Sequence, residues 1–316
     1  MTFLPDVFGH ESAKEQLSRM LEQDRVPNGV LLHGEAGRGK RTLAMAFARA
    51  MVGTGVDDHP DLFVVTRGED QRLVGIDRVR ALKQEFSLTP AQSDRRVAVV
   101  VDAERLTDEA GNALLKLLEE PPPRSHIILT ARDRDAVMET LVSRCRSLRV
   151  PPLSRREVLS FLEVRGVAAD RARLLALLAE GRPGYAIGLA EDGFEDRVLA
   201  PTFRLLLPGG SPHQAAEEVV ALAREGTKKA EGARERIRLV LGAVAWFLRA
   251  SLKASVGTTE GQEMLELLEP PLRESLSDRG PVAVERQLER VLEAMGDVDR
   301  NVGIELVLED LIPAIA

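Results

Sequence analysis

The sequence predicts a parallel α/β module built around a phosphate-binding loop, followed by an all-α remainder. Three observations predict it. A glycine-rich segment, Gly34-Glu35-Ala36-Gly37-Arg38-Gly39-Lys40, lies between the apolar run Val30-Leu31-Leu32 and the helical pattern Leu43–Ala48. Short apolar runs then alternate with helical periodicity as far as Val150. After Pro151-Pro152 no strand pattern follows.

Strand, glycine loop and helix in that order suit phosphate, because glycines let backbone N–H groups turn inward and the helix N-terminus adds partial positive charge. Lys40 can reach the outer phosphates. The next position, where a hydroxyl would hold Mg²⁺, is Arg41, with Thr42 one place further on.

Composition narrows the classes. The chain has 316 residues, 44% hydrophobic and 29% charged, long enough for about two or three domains with real cores. Aromatics are 3%, which argues against a base-stacking surface, and the net charge of −7 requires any DNA contact to be local. One cysteine, Cys145, excludes a disulfide framework and a cysteine zinc site, and the five histidines show no ligand spacing, so no metal site is expected. No leader pattern or membrane span is read, and the expected location is the cytoplasm.

In chain order, Val7-Phe8-Gly9 precedes a helix with Leu17, Met20 and Leu21 on one face; the loop either caps a sheet or packs on a nucleotide base. Expected strands are Val30–His33, Leu62–Thr66, Val97–Val101, Ile127–Thr130 and Arg146–Val150. Expected helices between them are Lys40–Met51, Ile76–Leu88, Asp108–Glu119 and Ala136–Leu141. The first domain is therefore expected at 1–150.

Ser154 with Glu157 makes a capping box opening a small helical domain, 151–207, with helices Arg155–Arg165, Asp170–Glu180 and Tyr185–Ala190. Leu207–Pro212 reads as a linker. The last domain, 208–316, is expected to hold Gln214–Arg224, Glu231–Lys253, Gly261–Leu268, Val282–Met295 and a final helix through Leu311. Lys228, Lys229, Arg234, Arg236 and Arg238 form a basic run interleaved with Glu225, Glu231 and Glu235; it fits a solvated helix face or a nucleic-acid patch.

Three further motifs carry chemistry. The strand Val97–Val101 ends in Asp102 and, two residues on, Glu104, where a phosphate-loop enzyme holds its metal and polarises water. Asn112–Glu120 is an amphipathic helix stopped by Pro121-Pro122-Pro123, and Ser143-Arg144-Cys145 precedes the last strand.

In order and spacing, these segments resemble bacterial clamp-loader subunits of the AAA+ superfamily, and most of all the delta-prime type of DNA polymerase III. His59-Pro60-Asp61-Leu62 and Ile76-Asp77-Arg78-Val79-Arg80 support it over residues 1 to about 190. The resemblance implies a RecA-like AAA+ module, a three-helix lid and a helical collar in a hetero-pentameric ring with gamma/tau ATPase and delta subunits, acting on a sliding clamp and primed DNA. It makes Arg144 an arginine finger that reaches a neighbour's ATP site. It also implies nucleotide binding by Gly34, Gly37, Gly39, Lys40, Arg41 and Thr42, an adenine-side loop at Val7 and Phe8, and a sensor-like Thr130.

Departures from an active ATPase accompany it. Arg41 replaces the hydroxyl, Val101 stands where the first of two adjacent acids belongs beside Asp102, and Gly184 occupies the lid's sensor-arginine position. The family's four-cysteine zinc module is missing. A non-hydrolysing subunit is expected, with the loop either holding ATP or ADP or empty. The alternatives are an active gamma/tau-type ATPase and a phosphate-loop nucleic-acid-binding module outside replication.

Overall fold

The computed structural model describes residues 7–68, 71–190, 195–207, 211–225, 230–266, 268 and 270–315. The segment before Val7, the linker centre Pro208–Gly210, and Lys228 and Lys229 lie outside them. The chain forms two compact units, residues 1–161 with 179–185, and 162–178 with 186–316.

The first unit is a three-layer α/β module. Its strands are β1 (Gly29–His33), β2 (Leu62–Val65), β3 (Arg96–Val100), β4 (Ser125–Ala131) and β5 (Arg146–Arg149). They pair in parallel in the order β2-β3-β4-β1-β5. The covering helices are α1 (Glu11–Glu22), α2 (Lys40–Val52), α3 (Ile76–Phe86), α4 (Asp108–Glu119) and α5 (Glu139–Arg144).

Period-two alternation divides the strand side chains between two cores. Val30, Leu32, Val97, Val99, Ile128 and Leu148 pack with Leu17 of α1 and Leu43, Phe47 and Met51 of α2. Leu31, Ala98, Val100, Ile127 and Leu129 pack with Val79, Leu82 and Phe86 of α3, Leu114 and Leu117 of α4, and Leu141 of α5. Both faces are apolar, which is why these strands read as continuous apolar runs.

One buried carboxylate ties the sheet edge to a loop. Asp61 is fully buried and accepts backbone N–H groups from Ala91, Gln92 and Ser93 at 2.7, 2.8 and 2.8 Å. Arg96 lies 3.7 Å away. Burial alone would raise the Asp61 pKa, but the three N–H bonds and Arg96 outweigh it and hold the carboxyl below its ordinary value.

Helices α6 (Arg155–Val164) and α8 (Pro183–Ala190) run through the unit boundaries. Ser154 and Glu157 form the expected capping box: the Ser154 N–H and hydroxyl donate to Glu157 at 2.7 and 2.6 Å, and the Glu157 N–H returns to Ser154 Oγ at 3.2 Å.

The second unit holds α7 (Ala169–Leu178), α9 (Ala200–Leu206), α10 (Pro212–Arg224), α11 (Ala230–Ser255), α12 (Thr259–Glu266), α13 (Pro270–Ser277), α14 (Pro281–Asp299) and α15 (Ile304–Ile315). Most of α11 from Val240 to Ala250 is apolar and buried, as expected of a central helix with neighbours on several sides. Trp246 and Phe247 meet edge to face at 5.1 Å, and Phe203 of α9 approaches Phe247 at 6.2 Å.

The helical reading missed α9 and α13. Pro201 and the pair Pro270-Pro271 look like breakers, but each falls in the first turn of its helix, where the missing N–H has no intrahelical partner in any case. The helix expected at Ala136–Leu141 instead covers Glu139–Arg144, so Arg144 ends a helix.

Candidate functional site

The loop after β1 takes its shape from glycines. Gly37 and Gly39 have φ of 80° and 81°, conformations costly for other residues, and Gly39 caps α2. Lys40, 7% exposed, turns its ammonium back to the Glu35 carbonyl at 2.8 Å. Burial lowers its pKa, and the nearby carboxylates of Asp102 and Glu104 oppose that shift. Arg38 is also buried and bridges Glu35 at 2.7 Å and the Val150 carbonyl at 3.3 Å. Arg41 and Thr42, in the first turn of α2, are exposed.

The segment at residues 182–185 rests on this loop. The Gly184 N–H donates to the Gly37 carbonyl at 2.8 Å. A Cβ on Gly184 would stand 3.1 Å from that carbonyl oxygen, and one on Gly37 would stand 3.2 Å from the Tyr185 nitrogen. Arg182 lies over the Tyr185 ring at 4.4 Å.

The acidic strand end is brought near the loop. Asp102 has a left-handed backbone (φ 56°), and its N–H donates to the Thr130 hydroxyl at 3.1 Å, joining the ends of β3 and β4. Glu104 turns away to accept the Arg132 N–H at 3.2 Å. Arg41, Arg67 and Arg105 share a cavity of about 320 Å³ with Val101 and Asp102. Arg105 lies 4.0 Å from the Asp102 carboxylate, and the positive charge of the arginines lining this cavity opposes a divalent cation there.

Val7 belongs to the core, and Phe8 packs on Phe161 at 5.3 Å. His10, which the sequence did not single out, is buried beside Gly39, its Nε2 3.7 Å from where a Gly39 Cβ would stand. Burial lowers its pKa, keeping the ring neutral at neutral pH. Its left-handed backbone directly after Gly9 is the local signal that could have marked it.

Arg144 sits at the other end of the same strands. In the parallel register Val30 faces Arg146 and His33 faces Arg149, so Arg144 precedes β5 near the amino end of β1 while the loop follows the carboxyl end. At about 3.3 Å per residue the two are separated by roughly 15 Å or more. The Arg144 guanidinium meets Glu119 at 3.3 Å and is half exposed. Ser143 donates to the Thr140 carbonyl at 2.9 Å. Burial pushes the Cys145 thiol up to about 12, so it packs rather than reacts. A Cβ on Gly29 would stand 2.7 Å from Cys145 Sγ, 2.9 Å from Leu118 and 3.1 Å from the Arg144 carbonyl oxygen.

Residues 9–154 match the family described as DNA polymerase III, delta subunit. DNA polymerase III subunit delta' of Escherichia coli is 32% identical over 155 residues, covering 48% of this chain and 46% of that one. Its counterpart in Bacillus subtilis is 29% identical over 176 residues, 51% and 53%. Over this matched stretch the chain is similar to delta-prime-type clamp-loader subunits. Its matched stretch spans about half the length of those two clamp-loader relatives.

A replication factor C small subunit of Natronomonas pharaonis is 27% identical over 317 residues, 99% of this chain and 92% of that one. A solved DNA polymerase III gamma subunit-related protein of Thermotoga maritima superposes with a TM-score of 0.54 at 19% identity, over 94% and 97% of the two chains; it shows the shared fold.

The basic run is engaged internally where it is described. Arg236 donates to the Ala223 carbonyl at 3.1 Å, closing the end of α10, and Arg238 pairs with Asp299 at 2.8 Å. Arg234 reaches the Asn301 carbonyl at 3.5 Å. These contacts run against the nucleic-acid patch reading.

Proposed function

We propose that this chain is a non-hydrolysing delta-prime-type subunit of a bacterial DNA polymerase III clamp loader. It gives Arg144 to the ATP site of a neighbouring gamma/tau-type subunit. The placement of Arg144 carries the reading: it is half exposed and lies at the opposite end of β1 from this chain's own phosphate loop. A positive charge placed where phosphate charge develops raises turnover by roughly 10³–10⁵. Its target is therefore another chain's nucleotide.

Three features support the lack of hydrolysis. Arg41 and two further arginines line the cavity beside Asp102, Val101 supplies no carboxylate, and Gly184 supplies no sensor cation. The Lys40 ammonium, which would meet phosphate, has an internal partner in the Glu35 carbonyl. We infer that the loop holds ATP or ADP weakly and serves the fold.

On this reading the chain works in the cytoplasm as AAA+ module, three-helix lid and collar, in a hetero-pentamer with gamma/tau and delta subunits. The ring uses ATP to place a sliding clamp on primed DNA. Among the described residues no helix is long and apolar enough to cross a membrane.

ATP hydrolysis by the chain alone, and then with a gamma/tau-type partner, tests this reading. The expected result is silence alone and partner turnover that collapses on Arg144→Ala. Lys40-dependent hydrolysis by the isolated chain would establish the active-ATPase alternative instead.

A further inference from the structure

We propose that Glu119 is a positioning residue for Arg144, holding the guanidinium in the orientation from which it engages a neighbour's phosphate. The inference rests on the arginine-finger reading and extends it to the regulation of that same group.

The Arg144 backbone has little freedom. It ends α5, the Cys145 N–H closes onto the Val142 carbonyl at 3.2 Å, and its carbonyl lies against Gly29 with no room for a methyl group. The side chain keeps its rotatable bonds and is 52% exposed. Among the described residues its acidic contact is Glu119, one terminal guanidinium nitrogen donating to Oε1 at 3.3 Å. That contact uses one of the three guanidinium nitrogens, so a phosphate can meet the others without displacing Glu119.

Glu119 is itself well placed. It is the last residue of α4, whose start is capped by the Thr107 hydroxyl accepting the Ala110 N–H at 3.2 Å. Leu117 and Leu118 bury the preceding turn, and Pro121–Pro123 prevent the helix from continuing. The negative end of α4 adds to the carboxylate in attracting the guanidinium. An arginine entering a phosphate site gives up large rotamer freedom, and a partner that already restricts it lowers that cost. An exposed ion pair contributes little to folding, so the value of this one lies in positioning.

The test uses the full chain assembled with its gamma/tau-type partner, comparing wild type, Glu119→Ala, Glu119→Gln, Arg144→Ala and the double variant E119A/R144A. Glu119→Ala is expected to lower kcat about 2–5-fold, the factor a surface ion pair corresponds to. The KM for ATP and the extent of assembly are expected to be unchanged. Glu119→Gln is expected to recover most of the rate, because the amide oxygen still accepts. In the Arg144→Ala background, Glu119→Ala is expected to add nothing. An unchanged or raised kcat in Glu119→Ala would overturn the proposal. An equal loss in the Arg144→Ala background would overturn it too, by showing a merely structural role. If Arg144→Ala itself leaves turnover intact, the finger reading falls and this inference with it.

Discussion

Gly29→Ala is the substitution that most directly tests how Arg144 is held. The new methyl carbon would stand 2.7 Å from Cys145 Sγ, 2.9 Å from Leu118 and 3.1 Å from the Arg144 carbonyl oxygen. Comfortable contact between such atoms needs about 3.5–4 Å. The two side-chain neighbours must therefore retreat by several tenths of an ångström to about 1 Å, and the Arg144 carbonyl by a few tenths. That carbonyl is backbone, and its displacement is passed directly to the guanidinium. Overpacking of this kind costs about 1–3 kcal/mol. A shift of about 1 Å in a catalytic group can cost 10²-fold in rate. Urea unfolding is expected to show the stability loss, and partner-stimulated hydrolysis a fall of about 3–10-fold with KM for ATP unchanged, since the Arg144 carbonyl moves by only a few tenths of an ångström. Adding Cys145→Ala removes the shortest contact and is expected to recover part of both losses. A Gly29→Ala variant as stable and as active as wild type would refute the reasoning.

Two further outcomes concern stability. Asp61→Asn replaces one of the two acceptor oxygens with an NH₂ that faces at least one of the three backbone donors, and it removes the charge facing Arg96; a loss of about 3 kcal/mol is expected in urea unfolding at pH 7. Because the folded pKa of Asp61 is depressed, its stabilisation is present above the unfolded value of about 3.9 and is lost as pH falls through the folded value. The gap between wild type and variant should therefore narrow below about pH 3.9; a pH-independent gap would show that the carboxylate charge is not the source. Arg279 donates to Gln287 at 2.9 Å, to the Ile315 carbonyl at 2.8 Å and to the Leu206 carbonyl, tying together the ends of α9 and α15. Arg279→Ala is expected to cost about 2–3 kcal/mol in thermal unfolding, and Arg279→Lys to recover little, because an ammonium cannot span the same acceptors as a fork.

The α/β module was legible because its strands are buried on both faces and its loop uses residue types that few other structures need. Val97–Val100 and Ile127–Leu129 announce themselves as apolar runs, and Ser154 with Glu157 as a capping box. What stayed hidden depends on approach between segments distant in sequence. Nothing local marks Gly29 as the residue that makes room for Arg144, or Asp61 as the acceptor for residues 91–93. The arginines of residues 234–238 looked like a surface run, yet those of α11 are taken up by the ends of neighbouring helices. Proline misled at α9 and α13 because its effect depends on its place in the helix, which composition does not reveal.

One strand supports both halves of the candidate site, and they have diverged in use. At its carboxyl end, β1 opens into a loop whose polar groups are satisfied within the chain: Lys40 by Glu35, Gly37 by Gly184, Arg38 by Glu35 and Val150. A Cβ at position 184 would stand 3.1 Å from the Gly37 carbonyl oxygen, so a side chain there would press on this contact. Arg41 adds a cation where a metal would need a neutral oxygen. On the proposed reading these departures are mutually consistent: each is expected to lower affinity for a metal–nucleotide complex, and the Gly184–Gly37 contact joins the loop to the segment at residues 182–185. At its amino end, β1 keeps a glycine where a larger residue would press on Cys145, Leu118 and the Arg144 carbonyl. On the proposed reading, a loop that rests on its own chain and an arginine turned away from it divide the work between two subunits: one holds the nucleotide, and this one supplies the charge.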